Sequence, residues 1–149
     1  MNVQPGPVRP LGTELDVAVG DTRSTVVVED LKRTQIVMYA GASGDFNPLH
    51  SDEVFTTEVA GFPGVFAHGM LTMGLTGRVI TDWFGIERLL RFGVRFKAPV
   101  WPGDTLTAIA TVESVEDTVA GRVATLALRT VNAAGVEVVS GTAAVRLDS

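Results

Sequence analysis

Residues 39–84 read YAGASGDFNPLHSDEVFTTEVAGFPGVFAHGMLTMGLTGRVITDWF and contain both histidines of the chain, His50 and His68. The run after His68 is the most apolar helical pattern in the sequence. At about 1.5 Å per residue it predicts a helix of roughly 25 Å that ends near Phe84. Apolar side chains cover much of its circumference, which is typical of a helix buried on several sides. We therefore expect this helix to lie at the centre of the fold.

Two glycines interrupt the apolar run. Gly74 and Gly77 each lower helix propensity by roughly 1 kcal/mol relative to alanine. Their presence indicates that a strand or a ligand approaches the helix closely at these positions.

Shorter elements are predicted ahead of the long helix. The β-branched residues 25–29 predict a strand. Asp30 is the expected N-cap of a helix over Leu31–Ala40, because aspartate is a preferred capping residue. Gly41 and Gly44 should then end this helix.

The next segment combines a rigid turn with a second short helix. Proline disfavours the helical conformation at the residue before it, so Asn47-Pro48 predicts a fixed loop over residues 45–50. Ser51 or Asp52 is the expected cap of a short helix that ends near Val59.

After Gly85 the apolar period changes to two, which predicts strands. The predicted strands lie near residues 90–98, 106–112, 124–128 and 139–147, with turns at 117–121 and 132–135. One strand, helices and then four strands predict an α+β fold in which an antiparallel sheet curls around the long helix. Such a sheet often completes its burial by pairing with another copy.

Composition limits the classes of function. The chain has 149 residues, of which 46% are hydrophobic, so we expect one globular domain. The net charge of −5 argues against binding to nucleic acid or to anionic membranes, both of which need a basic face. The lack of cysteine excludes disulfides, thiolate metal sites and cysteine nucleophiles, and it fits a reducing compartment.

The first residues of the chain predict no signal peptide, because they contain no long apolar core. Residues 1–12 are rich in proline and glycine and predict a flexible arm, so we expect the single domain to span residues 13–149. No apolar segment is long enough to span a bilayer. We expect a soluble, cytoplasmic protein.

The polar cluster Asp45, Asn47 and His50 is the strongest candidate for chemistry. A carboxylate and an imidazole in a rigid turn can act as an acid and a base, because histidine titrates near neutral pH. The same residues can also serve structure, since Asp45 and Asn47 are common caps of their own turn. A metal site that adds Asp52 and His68 is conceivable, but its spacing matches no known site. We expect neither a metal nor a cofactor.

Three segments resemble the MaoC-like hot dog dehydratases: DFNPLH (45–50), AHGM (67–70) and VRFKAPVWPGDTL (94–106). The family includes (R)-specific enoyl-CoA hydratases and hydroxyacyl-thioester dehydratase subunits. The resemblance extends from about Val19 to Leu147. It implies a hot dog fold that is usually dimeric and that acts on acyl thioesters of coenzyme A or acyl carrier protein.

The resemblance also implies roles for individual residues. Asp45 and His50 would be the catalytic acid–base pair, and Asn47 would support them. The backbone N–H of Gly69 would bind the thioester carbonyl, as a donor in the first turn of a helix can. His68, at the helix start, is expected to be structural and could hydrogen-bond the loop that positions Gly69.

Four residues are candidates for substrate binding: Met73, Gly77, Arg95 and Lys97. Some family members place a serine where this chain has Gly77, so either a supporting hydrogen bond is missing here or the space serves a bulkier acyl chain. Met73 could belong to both the core and an acyl pocket. Arg95 and Lys97 belong to a basic cluster with Arg88 and Arg91. The cluster is either a solvated strand face or a contact for the phosphates of the carrier.

The implied reaction interconverts trans-2-enoyl and (R)-3-hydroxyacyl thioesters. Two alternatives remain open. The first is a hot dog thioesterase, in which a carboxylate directs water at the carbonyl carbon. The second is the catalytic subunit of a heterodimeric fatty-acyl dehydratase, which is inactive without its partner. A homodimer is the first expectation, and a heterodimer with a related hot dog subunit is the other.

Overall fold

The computed structural model describes residues 15–119 and 121–148. Seven longer elements follow one another along the chain: β1 (Thr22–Val28), α1 (Arg33–Ser43), α2 (Gly69–Phe84), β2 (Leu89–Phe96), β3 (Leu106–Thr118), β4 (Gly121–Asn132) and β5 (Glu137–Arg146). Short 3₁₀ turns lie at Pro48–His50 and Ile86–Arg88, and Phe55–Val59 forms a π-helical turn. The predicted arm over residues 1–12 lies outside the described residues.

The strands form one antiparallel sheet in the order β1-β3-β4-β5-β2. Helix α2 contacts all five strands, so the sheet curls around it. The predicted α+β class and the central position of the long helix are therefore confirmed. None of the helices in the described part of the chain is long and apolar enough to cross a membrane.

The core forms where α2 meets the concave face of the sheet. Val79 and Ile80 on α2 are 0% exposed. They pack with alternate residues of the strands, which are equally inaccessible: Leu106, Ala108, Ala110, Ala124, Leu126, Val139 and Val145. This alternation is the reason that the period-two pattern located the strands correctly.

Helix α1 begins later than predicted. Asp30 is not its cap; it adopts a left-handed backbone with a φ of 48°. Leu31 is buried at 1% exposure, and its N–H donates to the carbonyl of Asp104 at 2.8 Å. Lys32 is the N-cap instead, and its backbone N–H donates to the side chain of Gln35 at 2.8 Å. Leu31 is thus held by the neighbouring loop and cannot take part in the helix.

Helix α1 also ends later than predicted, because it runs through Gly41 to Ser43. Gly44 stops it with a left-handed φ of 76°, and its N–H donates to the carbonyl of Ala40 at 3.0 Å. The expectation that Gly44 ends the helix is confirmed, and the same expectation for Gly41 is wrong.

The predicted helix that ends near Val59 is the π-helical turn. Asp52 caps this segment, since its Oδ1 accepts the N–H of Phe55 at 3.0 Å. The long helix begins at Gly69, one residue after the predicted start, and His68 is at its N-cap position.

Arg88 does not belong to an exposed basic cluster. Its side chain is only 7% exposed. The guanidinium donates to the carbonyls of Leu147 at 2.7 Å and Asp148 at 3.0 Å, near the end of β5. Of the predicted cluster, Arg91, Arg95 and Lys97 are exposed. Arg88 is a structural residue because carbonyls distant in sequence satisfy its donors.

Strand β2 lies at one edge of the sheet and pairs only with β5 among the described strands. Its apolar residues Leu90 and Phe96 are 46% and 52% exposed. Phe92 and Val94 pack against the core. One border of the sheet therefore presents backbone groups and large apolar side chains to the outside.

Candidate active site

The turn over residues 45–50 is held by its own side chains. Asp45 Oδ1 accepts the N–H of Asn47 at 3.3 Å, and Asn47 Oδ1 accepts the N–H of Leu49 at 3.1 Å. Pro48 starts the 3₁₀ turn, as proline can because it has no N–H to satisfy. Asp45 and Asn47 thus cap the turn, and both side chains remain exposed.

His50 is the buried member of the turn, with 9% of its surface exposed. Its Nδ1 lies 2.7 Å from the carbonyl oxygen of Phe66. A carbonyl can only accept, so Nδ1 is the donor and Nε2 carries the free lone pair of a neutral ring. The ring of Phe66 also packs edge-on against His50, with centroids 5.4 Å apart. Phe66 therefore fixes the tautomer of His50 and restrains one edge of its ring.

His68 lies directly against His50. The two imidazoles are stacked with centroids 3.8 Å apart and an interplanar angle of 27°. His68 is 1% exposed, and its Nε2 lies 3.0 Å from the carbonyl oxygen of Asp45. Tyr39 of α1 also contacts this ring, at a centroid distance of 4.9 Å.

The fold brings the three titratable groups together. A carboxylate oxygen of Asp45 and one ring nitrogen each of His50 and His68 all lie within 4.8 Å of one another. A water that hydrogen-bonds to two groups at about 2.8 Å from each can join atoms up to roughly 5 Å apart. The cluster therefore has the dimensions to hold and activate one water molecule.

The same cluster is poorly arranged for a metal ion. His50 Nδ1 and His68 Nε2 are engaged by the carbonyls of Phe66 and Asp45. Lone pairs of imidazole lie in the ring plane, and the stacked rings, inclined at 27°, direct their remaining lone pairs along planes that are close to parallel. The fourth residue of the conceivable metal set, Asp52, caps Phe55 instead.

Gly69 is the first residue of α2, where backbone N–H groups have no acceptor within the helix. A Cβ at this position would lie 3.0 Å from the ring of Phe96, so the chain has room only for glycine unless that ring moves. Beside Gly69 lies a cavity of about 350 Å³ whose wall includes Phe66, Thr72, Lys97 and Val138. The helix N-terminus thus faces an open, mainly apolar space.

The other candidate substrate residues lie outside this cavity. Met73 is half-buried on α2, and Arg95 is exposed on β2. At Gly77 a Cβ would lie 3.2 Å from the ring of Phe92. The close approach expected at Gly77 is made by a side chain of β2, which occupies space that a bulkier acyl chain was expected to use.

Two contacts in the site were not anticipated from the sequence. His68 was expected to be structural and to hydrogen-bond the loop, and its Nε2 lies 3.0 Å from the Asp45 carbonyl, but its stack on His50 was not expected. The carbonyl of Phe66 orients His50, and no side-chain pattern signals such a backbone contact. The available signal for His68 was its position directly before Gly69, because the residue there lies at the N-terminus of the helix, next to the proposed backbone donor.

One ion pair fastens the loop after the turn to α1. Arg33 of α1 hydrogen-bonds to Glu53, and this contact holds the pKa of the Glu53 carboxyl below its ordinary value. Glu53 in turn lies where a Cβ on Gly64 would meet it, at 2.9 Å. The pair is exposed, so it helps to position the loop against α1 and contributes little to the free energy of unfolding.

Alanine at Gly69 and at Gly74 should have opposite effects on stability. The close approach expected at Gly74 is not found, because nothing lies within 4 Å of where a Cβ would be. Gly74→Ala should therefore raise the free energy of unfolding by about 1 kcal/mol through helix propensity. Gly69→Ala must push the half-exposed Phe96 ring aside and should lower it by about 1 kcal/mol. Chemical denaturation measures both, and an equal gain in the two variants would show that Phe96 does not restrict Gly69.

Comparison with known proteins assigns the family. Residues 8–133 match the family described as MaoC like domain. The 3-hydroxyacyl-thioester dehydratase Y of Mycobacterium tuberculosis is 43% identical over 70 residues, which cover 45% of this chain and 24% of that protein. This chain therefore spans about a quarter of the length of that relative.

Two solved structures are similar over nearly the whole chain. R-Hydratase PhaJ1 from Pseudomonas aeruginosa, unliganded, has a TM-score of 0.77 at 27% identity, covering 89% of this chain and 83% of its own. The (R)-hydratase from A. caviae involved in PHA biosynthesis has a TM-score of 0.71 at 30% identity, covering 88% and 97%. The hot dog fold implied by DFNPLH and AHGM is confirmed, and the chain belongs to the MaoC-like domain family.

Proposed function

We propose that this chain is a hydratase/dehydratase that interconverts trans-2-enoyl and (R)-3-hydroxyacyl thioesters. One observation carries the proposal. The Asp45 carboxylate and the His50 ring lie within 4.8 Å of each other, in the same turn. The names of the relatives, one a dehydratase and two hydratases, support this reaction class.

The acid–base step follows from the state of His50. Its Nδ1–H is donated to Phe66, so Nε2 can accept a proton from water. In hydration, the oxygen of that water forms the new bond to the β-carbon while a proton is delivered to the α-carbon. Asp45 and His50 share these two proton transfers, and dehydration uses them in reverse. Asn47 holds the Asp45 side chain within the turn through its backbone N–H.

The thioester oxygen gains negative charge as the transition state forms. We assign the N–H of Gly69 to stabilise it, because the group lies in the first turn of α2, where the helix dipole is positive. A donor of this kind typically contributes about 100- to 1000-fold in rate. The absence of a side chain lets the carbonyl approach the backbone closely.

The cavity beside Gly69 is the proposed place for the acyl thioester. Its wall is mainly apolar, which suits the hydrocarbon part of the substrate. Lys97 is also part of this wall. Its ammonium suits the phosphates of coenzyme A or of the phosphopantetheine of an acyl carrier protein.

Substitution of either member of the acid–base pair should abolish most of the activity. Asp45→Asn and His50→Gln each preserve shape but remove the proton transfer, so kcat should fall by at least about 100-fold. The loss of ultraviolet absorbance of crotonyl-CoA measures the reaction. Glu58→Gln, an exposed carboxylate on the π-helical turn, is the matched control and should keep wild-type rates.

Near-normal rates in both Asp45→Asn and His50→Gln would contradict the proposed roles. The same assay, run with a thiol reagent, separates the alternative reaction. Release of free coenzyme A with the double bond intact would identify a thioesterase instead.

The two basic candidates should differ in their effect on substrate binding. Lys97→Met should raise KM for enoyl-CoA several-fold with little change in kcat, because Lys97 borders the cavity beside Gly69. Arg95→Met is the control, since Arg95 is exposed and lies outside that wall. Equal KM values for the two variants would show that Lys97 does not contact the phosphates of coenzyme A.

We also propose that the chain works as a dimer with another hot dog subunit, either identical or related. The edge of β2, which pairs with no second strand among the described residues, and the exposed Leu90 and Phe96 support this arrangement. Sedimentation of the purified chain should give twice its mass of 15.8 kDa. A monomer with full activity would contradict the proposal, whereas an inactive monomer would indicate the related partner subunit.

A further inference from the structure

One residue contacts all three parts of the proposed site. His68 stacks on the ring of His50, hydrogen-bonds to the backbone of Asp45, and directly precedes Gly69 at the start of α2. Each of these contacts fixes a different group: the base, the acid and the backbone donor.

The first contact is the hydrogen bond to Asp45. The Asp45 side chain is exposed, and the only side-chain hydrogen bond described for its carboxylate runs to the backbone of Asn47 within the turn. The His68 Nε2–H donates to the Asp45 carbonyl at 3.0 Å, and the donor is buried, since His68 is 1% exposed. This bond connects the exposed end of the turn to the start of α2.

The second contact is the stack on His50. The hydrogen bond from His50 Nδ1 to Phe66 fixes one point of the ring but leaves rotation about that bond open. The His68 ring packs on one face of His50 with the centroids 3.8 Å apart, and the Phe66 ring packs edge-on with the centroids 5.4 Å apart. Together the two rings remove this freedom. The direction of the His50 Nε2 lone pair is then determined.

The remaining nitrogen of His68 makes no hydrogen bond within the described residues. With Nε2 donating, Nδ1 is an acceptor, and it is buried without a partner among them. A buried acceptor without a partner is a cost that an apolar side chain would avoid. A role in stability alone would therefore favour an apolar side chain here, whereas the ring and the Nε2–H account for the contacts with His50 and Asp45.

We propose that His68 is a positioning residue that holds Asp45 and His50 in their catalytic geometry. The proposal rests on the hydratase/dehydratase function above. Its effect is on kcat, because a displacement of about 1 Å in a catalytic group can cost about 100-fold in rate. Substrate binding in the cavity should change little.

A matched pair of variants tests the hydrogen bond. Glutamine and methionine have the same length, but only glutamine offers an N–H donor near the place of Nε2. His68→Gln should therefore keep at least ten-fold more kcat than His68→Met, with KM for enoyl-CoA within about three-fold of wild type in both. Thermal unfolding confirms that each variant is folded. Val79→Ala, a core truncation in the same helix, controls for loss of stability without loss of positioning.

A second readout does not depend on activity. The chain has two histidines, so in either variant the one remaining imidazole signal belongs to His50. The ¹⁵N shifts of the ring, measured by NMR on protein free of any histidine tag, report its tautomer. The Nδ1–H form should persist in all three proteins because Phe66 holds it, but the nuclear Overhauser contacts between the His50 ring and Phe66 should weaken in both variants because the stack is lost.

The outcomes separate the two proposals. Wild-type kcat in His68→Met, or a His50 ring in both variants that is indistinguishable from wild type, would overturn the positioning role. If the wild-type protein hydrates no enoyl thioester, the proposed function fails, and the NMR comparison still decides whether His68 orients His50. A kcat that falls in Val79→Ala as far as in His68→Met would also overturn the role, because loss of stability would then explain the effect.

Discussion

The burial of α2 inside the curled sheet is the constraint on which the rest of the structure depends. Val79 and Ile80 are inaccessible, and the helix contacts every strand, so its axis and its first residue cannot move independently of the sheet. The sheet therefore fixes where Gly69 lies and which way its backbone N–H points. A preorganised donor of this kind needs no reorganisation when charge develops on a substrate.

The site is assembled around that fixed helix start. The turn with Asp45 and His50 is not part of the sheet, and it is placed by contacts with the residues that precede α2. His50 is bonded to the carbonyl of Phe66, and Asp45 to the ring of His68. Asp45 and His50 are thus held against the helix N-terminus by two residues that precede Gly69, Phe66 and His68. The exposed turn is therefore positioned relative to the buried core by the hydrogen bonds of His50 to Phe66 and of His68 to Asp45.

Much of this arrangement could be predicted from the sequence, for identifiable reasons. The central helix was visible because it is apolar around most of its circumference, and the strands because their buried residues alternate. The start of α1 could not be predicted. Leu31 is kept out of the helix by a hydrogen bond to Asp104, which is more than seventy positions away. Arg88 was assigned to an exposed cluster for the same reason, since its acceptors are carbonyls near the end of β5.

The site, like the fold, has some features that the sequence predicts and others that it does not. Asp45, His50 and Gly69 carry motif signals, and the structure brings the first two together and sets Gly69 at the helix start nearby. The orientation of His50 depends on a carbonyl sixteen residues away, which no residue type can signal. Gly77 did mark a close approach, but the sequence could not distinguish the ring of Phe92 from a ligand.

The most direct test of the account is hydration of a trans-2-enoyl-CoA in D₂O, followed by proton NMR and mass spectrometry. Addition of water across the double bond predicts an intact 3-hydroxyacyl-CoA thioester that carries one non-exchanging deuterium on the α-carbon. The deuterium should stay at one per molecule as the reaction reverses, if the same groups remove the proton that they deliver. Free coenzyme A with an unchanged enoyl acid, or no reaction from the folded dimer, would contradict the account.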